Sequence, residues 1–159
     1  MAISKTNDAA VKTLNDLIDV CLDGAEGYRT ALEDASSTGL KSLLQQFSSQ
    51  RSQFARELQS EVTRLGGDAE RNGTARGALH RGLMNIKSAV GTNNDLAILE
   101  ECERGEDVAK DTYEKVLRGE AKDVNALPAD TRQLVKKQYD QIVSSHDSMK
   151  ILRDREKRA

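Results

Sequence analysis

The sequence predicts an all-α protein built from four long helices, and three observations indicate this fold class. The 159 residues include one proline and five aromatic residues, too few for a sandwich or a barrel, which need many strands and turns. Hydrophobic residues make up 37% of the chain and charged residues 31%, a balance typical of helices with one narrow apolar stripe. Four segments carry apolar residues at helical spacing. The length suits a single domain over residues 1–159.

The first two predicted helices, at about 8–35 and 39–65, form an antiparallel hairpin. Thr6 or Asn7 is the expected cap of the first helix, and Gly66-Gly67 is a strong C-terminal stop for the second. Only three residues separate the two helices, so they must fold back on each other. Their stripes comprise Leu14, Leu17, Ile18, Cys21, Ala25, Tyr28 and Leu32, then Leu40, Leu43, Leu44, Phe47, Phe54, Leu58, Val62 and Leu65.

The third and fourth predicted helices, at about 95–118 and 128–156, form a second antiparallel hairpin. Asn93 or Asn94 suits the cap of the third helix and Gly119 its end, while Pro128 suits the first turn of the fourth. Their stripes comprise Leu96, Leu99, Cys102, Ala109, Tyr113, Val116 and Leu117, then Leu134, Val135, Ile142, Met149 and Leu152.

The connection between the hairpins is much longer than a turn and includes a short predicted helix at about 75–90, with Leu79, Leu83, Ile86 and Val90 on one face. A connection of this length can carry the chain from one end of the bundle to the other, which makes the second and third helices parallel. That topology is ferritin-like, with one long crossover. The alternative is an up-down bundle with an ordered excursion.

Composition also limits partners and location. No apolar run is long enough to span a bilayer, and the N-terminus has no apolar segment typical of a signal peptide. The 24 basic and 26 acidic residues are interleaved, so we expect neither a nucleic-acid nor a membrane partner. Cys21 and Cys102 lie far apart and suit free thiols in the cytoplasm.

A di-iron centre in such a bundle needs a Glu from each of two helices and Glu-x-x-His from each of the other two. No Glu-x-x-His occurs in the chain, and the matching place in the second helix reads Gln50-Arg51-Ser52-Gln53. Nucleotide-binding and hydrolase motifs are also absent. We therefore expect no catalytic residues, no cofactor, no metal site and no enzymatic activity.

Helical phase places polar residues inside the bundle instead. At about 100° per residue, Arg51, Glu106 and Gln138 fall on their stripes, and Arg51, Glu106 and Gln141 share one height with Cys21. This predicts a polar core layer of Arg51, Glu106, Gln138 and Gln141, in which the buried charges need each other. Alternatively, Arg51 extends its head to solvent, or Glu106 lies at the rim.

A second interpretation is a degenerate metal site formed by Glu103, Glu106 and His146, an incomplete ligand set. The simpler expectation for His80 is contact with the bundle surface. Tyr28 and Tyr113 are expected to fill the core with their hydroxyls at its edge, and both cysteines to be small buried groups.

The chain resembles a bacterial domain-of-unknown-function family of ferritin-like four-helix-bundle proteins over nearly its whole length. The features that carry this resemblance are Gln50-Arg51, Phe54-Ala55-Arg56-Glu57-Leu58, Leu65-Gly66-Gly67, Leu79-His80-Arg81, Glu103-Arg104-Gly105-Glu106-Asp107, Tyr113, His146-Asp147 and Leu152-Arg153-Asp154.

The resemblance implies a ferritin-like fold in a bacterial cytoplasm and brings no assigned activity. The lost Glu-x-x-His pair argues against iron oxidation or storage. We therefore expect a non-enzymatic bundle with a structural or partner-binding role, in a homo-oligomer or with another protein, and with a stress-related role among the options. The alternative is a metal-binding protein that uses the degenerate site.

Overall fold

The computed structural model describes residues 5–72, 94–119 and 127–159, and nearly all of these residues are helical. No strand occurs in these ranges, which confirms the all-α class. The helix predicted at 75–90, with His80, lies outside them. The helices are α1 (Lys5–Asp34), α2 (Thr38–Arg64), α3 (Asn94–Arg118) and α4 (Ala129–Arg158). Their ends lie within a few residues of the sequence pattern, although Thr6 and Asn7 fall inside α1 rather than at its cap.

The turn between α1 and α2 also receives the start of α3. Ser37 is the N-cap of α2, and its hydroxyl accepts a hydrogen bond from the Leu40 N–H at 3.1 Å. The Asp95 carboxylate accepts from the N–H groups of Ser36 and Ser37 at 2.7 and 3.0 Å. Since Asp95 is in the first turn of α3, α2 and α3 begin at the same end of the bundle.

Contacts at the far ends of the helices agree with this direction. Arg64, at the end of α2, donates to the Thr131 hydroxyl near the start of α4 at 3.1 Å. Arg153, near the end of α4, bonds to Glu103 in the first half of α3. Helices α2 and α3 therefore run parallel, and α4 runs antiparallel to both.

Beyond α2 the chain turns back along the groove between α1 and α2. Asn15 donates to the Asp68 carbonyl at 3.0 Å and accepts from the Glu70 N–H at 2.8 Å. Asn72, two residues later, lines a surface pocket together with residues from the middle of both helices, among them Leu22 and Ser48. The described part of the connection thus heads towards the end of the bundle where α3 begins.

The core consists of two apolar clusters stacked along the bundle axis. One is centred on Leu17, Phe54, Leu58, Tyr113 and Ile142, and the other on Tyr28, Leu44, Phe47, Leu99 and Met149. Cluster membership changes between Phe47 and Phe54 in α2 and between Cys102 and Ala109 in α3. The residues between these pairs form the boundary where the site lies.

Within the described ranges, no helix combines the length and apolar character that crossing a membrane requires.

Gly67 provides a test of the path taken by the connection. A Cβ atom at this position would lie 2.5 Å from Val11 Cγ2, so Gly67→Ala should destabilise the protein by about 1–3 kcal/mol through overpacking. The measurement is urea unfolding followed by circular dichroism.

Two variants control this test. Val11→Ala should relieve most of the cost when combined with Gly67→Ala, because it removes the methyl groups that clash. Gly39→Ala, whose Cβ would meet only Ser37 Oγ at 3.8 Å, should not destabilise. Equal destabilisation by Gly67→Ala with and without Val11→Ala would contradict the path described.

Candidate functional site

A polar layer crosses the bundle at the boundary between the two apolar clusters. Each helix contributes to it one or two turns away from cluster residues, so the layer has apolar neighbours above and below. We call it the central polar layer, and it consists of Gly24 from α1, Gln50 and Arg51 from α2, Glu106 from α3, and Gln141 and Ser145 from α4.

The centre of this layer is an ion pair between Arg51 and Glu106. Each residue retains only 1% of its surface exposed. Arg51 Nη2 lies 2.5 Å from Glu106 Oε1 and 2.6 Å from Oε2. Arg51 thus points inward and pairs with Glu106, as the phase of the two helices predicts, and neither the solvent-directed Arg51 nor the rim position of Glu106 is observed.

The remaining polar atoms of the layer connect the ion pair to α4. Arg51 Nη1 donates to Gln50 Oε1 at 3.0 Å, and the Ser145 hydroxyl lies 3.1 Å from the same oxygen. Gln50 Nε2 donates to Gln141 Oε1 at 3.4 Å. The guanidinium carbon also lies 5.6 Å from the centre of the Phe54 ring, in reach of a cation–π interaction. The buried cation therefore has a carboxylate, an amide and an aromatic face around it.

Helix α1 contributes space rather than a polar side chain. A Cβ atom on Gly24 would lie 3.4 Å from Arg51 Cγ and 3.6 Å from Cδ. The absence of a side chain at Gly24 leaves the stem of Arg51 room to cross the core.

Burial acts against both charges of the pair. It raises the pKa of the Glu106 carboxyl well above its ordinary value and lowers the pKa of the Arg51 guanidinium. Asp107, the next residue in the chain, raises the pKa of Glu106 further. The short contact between guanidinium and carboxylate opposes these effects, because each charge stabilises the other where water cannot. The ionised form of each residue thus depends on its partner.

A second chain of buried polar groups lies next to the layer, within the cluster around Leu17 and Phe54. Tyr113 donates to Gln138 Oε1 at 2.8 Å, which leaves the Cys21 thiol, 3.1 Å from the Tyr113 oxygen, to donate to it. Gln138 Nε2 reaches the Phe54 carbonyl and Glu57 Oε1 at 3.4 and 3.3 Å. The Tyr113 hydroxyl is therefore inside the core, and the expected position at the edge is wrong.

The two glutamines predicted for the core layer have different positions. Gln138 is buried but bonds to Tyr113 and to α2, with no hydrogen bond to Arg51 or Glu106 among the described residues. Gln141 is half-buried and meets the ion pair only through Gln50. Sequence reasoning missed Gln50 and Ser145, although Ser145 lies two helical turns beyond Gln138 on the same face of α4.

Both cysteines are buried and unpaired. Burial raises the pKa of the Cys21 thiol to about 11 and raises that of Cys102 further. Both thiols therefore remain protonated at neutral pH.

Tyr28 packs its ring against Phe47, with 5.7 Å between the ring centres.

The residues of the alternative metal site do not converge. Glu106 is engaged by Arg51, and Glu103 is bonded to Arg153. His146 Nε2 lies 2.7 Å from Asp107 Oδ1, while its Nδ1 lies 3.3 Å from Asp147 Oδ1. In the described ranges, no group of three or more His, Cys, Asp or Glu side chains is placed to hold a metal ion.

The central polar layer also does not fit a di-iron centre. Such a centre needs inward carboxylates and imidazoles from all four helices, whereas the layer offers one carboxylate, two amides, a hydroxyl and a guanidinium. The positive charge of Arg51 would repel a metal cation at this position. The donor set therefore suits an internal ion pair and not a metal pair.

One family model matches residues 9–119 and is described as "Domain of unknown function (DUF2383)". The match covers α1, α2 and α3 and includes both partners of the Arg51–Glu106 pair. No curated protein matches the sequence.

Removing one partner of the ion pair should cost far more stability than removing both. Arg51→Met leaves the Glu106 carboxylate buried without a counter-charge and should destabilise by about 3–5 kcal/mol. The double variant Arg51→Met with Glu106→Leu should recover most of this loss, because no unpaired charge remains. Equilibrium urea unfolding of the wild type, both single variants and the double variant measures the coupling.

Arg56→Met is the matched control for this cycle, because Arg56 lies on the same helix and is exposed. It should change the free energy of unfolding by no more than about 0.5 kcal/mol. Additive effects of the Arg51 and Glu106 substitutions would show that the two charges do not support each other.

The buried thiol predicts how stability changes at alkaline pH. The unfolded chain releases the Cys21 proton near its ordinary pKa of 9.0, whereas the folded protein holds it to about 11. This contribution to stability is complete below pH 9 and is lost as the pH rises towards 11, by roughly 3 kcal/mol for a shift of this size.

The measurement is the free energy of unfolding against pH for the wild type and Cys21→Ala. The variant should lose stability less steeply between pH 9 and 11, because it has no thiol to titrate there. Ser49→Ala, an exposed change on α2, should keep the wild-type slope. Identical slopes for Cys21→Ala and the wild type would contradict the assignment.

Proposed function

The chain belongs to the DUF2383 family of domains of unknown function, and we propose that it is a ferritin-like bundle in which an ion pair stands at the place of a metal centre. Its role is structural or partner-binding and non-enzymatic. The observation that carries this proposal is the buried Arg51–Glu106 pair, held by polar groups at mid-height of the bundle.

The topology supports the ferritin-like part of the proposal. Helices α2 and α3 run parallel, as the second and third helices of a bundle with one long crossover do. Residues 66–72 already run back along the groove between α1 and α2. A simple up-down bundle would need α3 to begin near the end of α2, whereas Asp95 contacts the turn at the start of α2.

The chemistry of the centre supports the non-enzymatic part. A reaction centre needs groups that reach a substrate and titrate near the working pH. Here the carboxylate is neutralised by Arg51, and both thiols keep their protons because burial raises their pKa values. The polar groups of the layer are mostly engaged with each other, which suits fixing the register of the helices.

The cellular setting is part of the same proposal. Two unpaired cysteines suit a reducing compartment such as a bacterial cytoplasm. A small homo-oligomer or a protein partner belongs to the same proposal, with a stress-related role among the options.

Metal analysis of the purified protein tests this proposal. After incubation with iron, manganese or zinc and then dialysis, we expect far less than one metal ion per chain, because Arg51 occupies the centre. Elemental analysis by mass spectrometry gives the stoichiometry, and light scattering gives the particle size in the same sample. One or two retained ions per chain, or a large shell, would overturn the proposal.

A matched pair of variants locates any metal that is retained. Metal lost in His146→Ala but kept in Arg51→Met would assign it to the site of Glu103, Glu106 and His146. Metal that appears only in Arg51→Met would support the proposal, because removing the cation would then open the centre to a metal ion.

A further inference from the structure

A small cavity lies directly beside the buried ion pair, between α1 and α3. Its volume is about 60 Å³, and Arg51 and Glu106 form part of its wall. Val20, Tyr28, Val108 and Ala109 form much of the remainder. The cavity exists because Gly24 and Gly105 bring no side chains to this side of the two helices.

Arg51, which lines this cavity, has an unused hydrogen-bond donor. Its Nη1 donates to Gln50 and its Nη2 to Glu106, but Nε has no acceptor in the described part of the chain. Every side-chain nitrogen or oxygen there that is sealed from solvent has a hydrogen-bond partner. The Nε atom must therefore lie in the 2% of the Arg51 side chain that a water molecule can touch.

The position of Gly24 identifies which side of Arg51 is open. A Cβ atom at this position would lie 3.7 Å from Nε, so the space beyond the glycine is next to the donor. Glu106 accepts bonds from one Arg51 nitrogen only, and a carboxylate has room for more donors. A donor and an acceptor thus face the same small space.

We propose that this cavity is a hydration site that holds two ordered water molecules. One water accepts the Arg51 Nε–H and donates to the Glu106 carboxylate, and the second extends the chain towards the opening near Asp23 and Arg104. The volume suits about two waters, since each takes roughly 30 Å³ in the liquid. An uncharged ligand fits best because Arg51 and Glu106 already neutralise each other.

These waters complete the environment of the ion pair. They satisfy the Nε–H donor of the guanidinium and add a donor to the carboxylate, which lowers the cost of holding both charges inside the bundle. The glycines at positions 24 and 105 are then parts of a water-binding site.

The direct test is a high-resolution crystal structure of the wild-type protein, with a second crystal pressurised with xenon. We expect ordered water density within hydrogen-bond distance of Arg51 Nε and Glu106, and no xenon in the cavity. A dry cavity, or one that takes up xenon as apolar cavities do, would overturn the proposal.

Substitutions at Gly24 test the same site without crystals. Gly24→Ser brings a hydroxyl that can take the place of a water on Nε, whereas Gly24→Ala fills the same space without an acceptor. We expect the serine variant to have the higher melting temperature. In a dry cavity the order would reverse, because alanine is the better helix former.

Ser144→Ala is the matched control, since Ser144 is an exposed residue within α4. It gives the difference between serine and alanine on an exposed helix face, where the alanine variant should have the higher melting temperature. The same order at position 24 would contradict the proposal even if both Gly24 variants fold less well than the wild type.

Discussion

The Arg51–Glu106 ion pair is the constraint on which the arrangement of the four helices depends. A charge buried alone in a helical core would be very costly, so the bundle must hold α2 and α3 at the one relative height where guanidinium and carboxylate meet. Sliding either helix by one turn would separate the charges and bury both unpaired. Apolar residues above and below tolerate such a shift more easily, because one aliphatic side chain can replace another. Among the packings open to the apolar clusters, the ion pair therefore favours the one in which its two charges meet.

The polar groups around the ion pair come from several helices, so more than one helix is held in register by hydrogen bonds. Gln50 connects Arg51 to α4, because it forms hydrogen bonds both with Arg51 and with Ser145 and Gln141. Helix α1 takes part through the space at Gly24 and through Cys21, which joins Tyr113 and Gln138 one layer away. Both hairpins are thus connected by hydrogen bonds in addition to apolar contact, and the bonds are directional. Such a core favours one arrangement over many of similar apolar content.

Helical phase predicts much of this core, because the apolar stripe of each helix shows which side of that helix faces the other three. Arg51 lies between Phe47 and Phe54, and Glu106 lies between Cys102 and Ala109, so helical phase favours an inward position for both, and the assembled bundle decides against the solvent-directed and rim alternatives. The stripe of α4 is weaker and carries polar residues at Gln138, Gln141 and Ser145, and phase alone does not rank them. Which of them meets the ion pair depends on the roll of α4 and on the reach of Gln50, and both are properties of the assembled bundle. The position of the Tyr113 hydroxyl could not be foreseen for the same reason, since its partners come from α1 and α4.

The contact between Asp95 and the loop that joins α1 and α2 bears on how the two hairpins assemble. Each hairpin joins neighbouring segments and can form early, because its loop is short and closes at small entropic cost. The partners of the ion pair are 55 positions apart, and they meet only when the two hairpins dock. Asp95 bonds the start of α3 to the turn of the other hairpin and so joins the two hairpins at a common end. The central charges therefore leave water in the same step that brings them into contact.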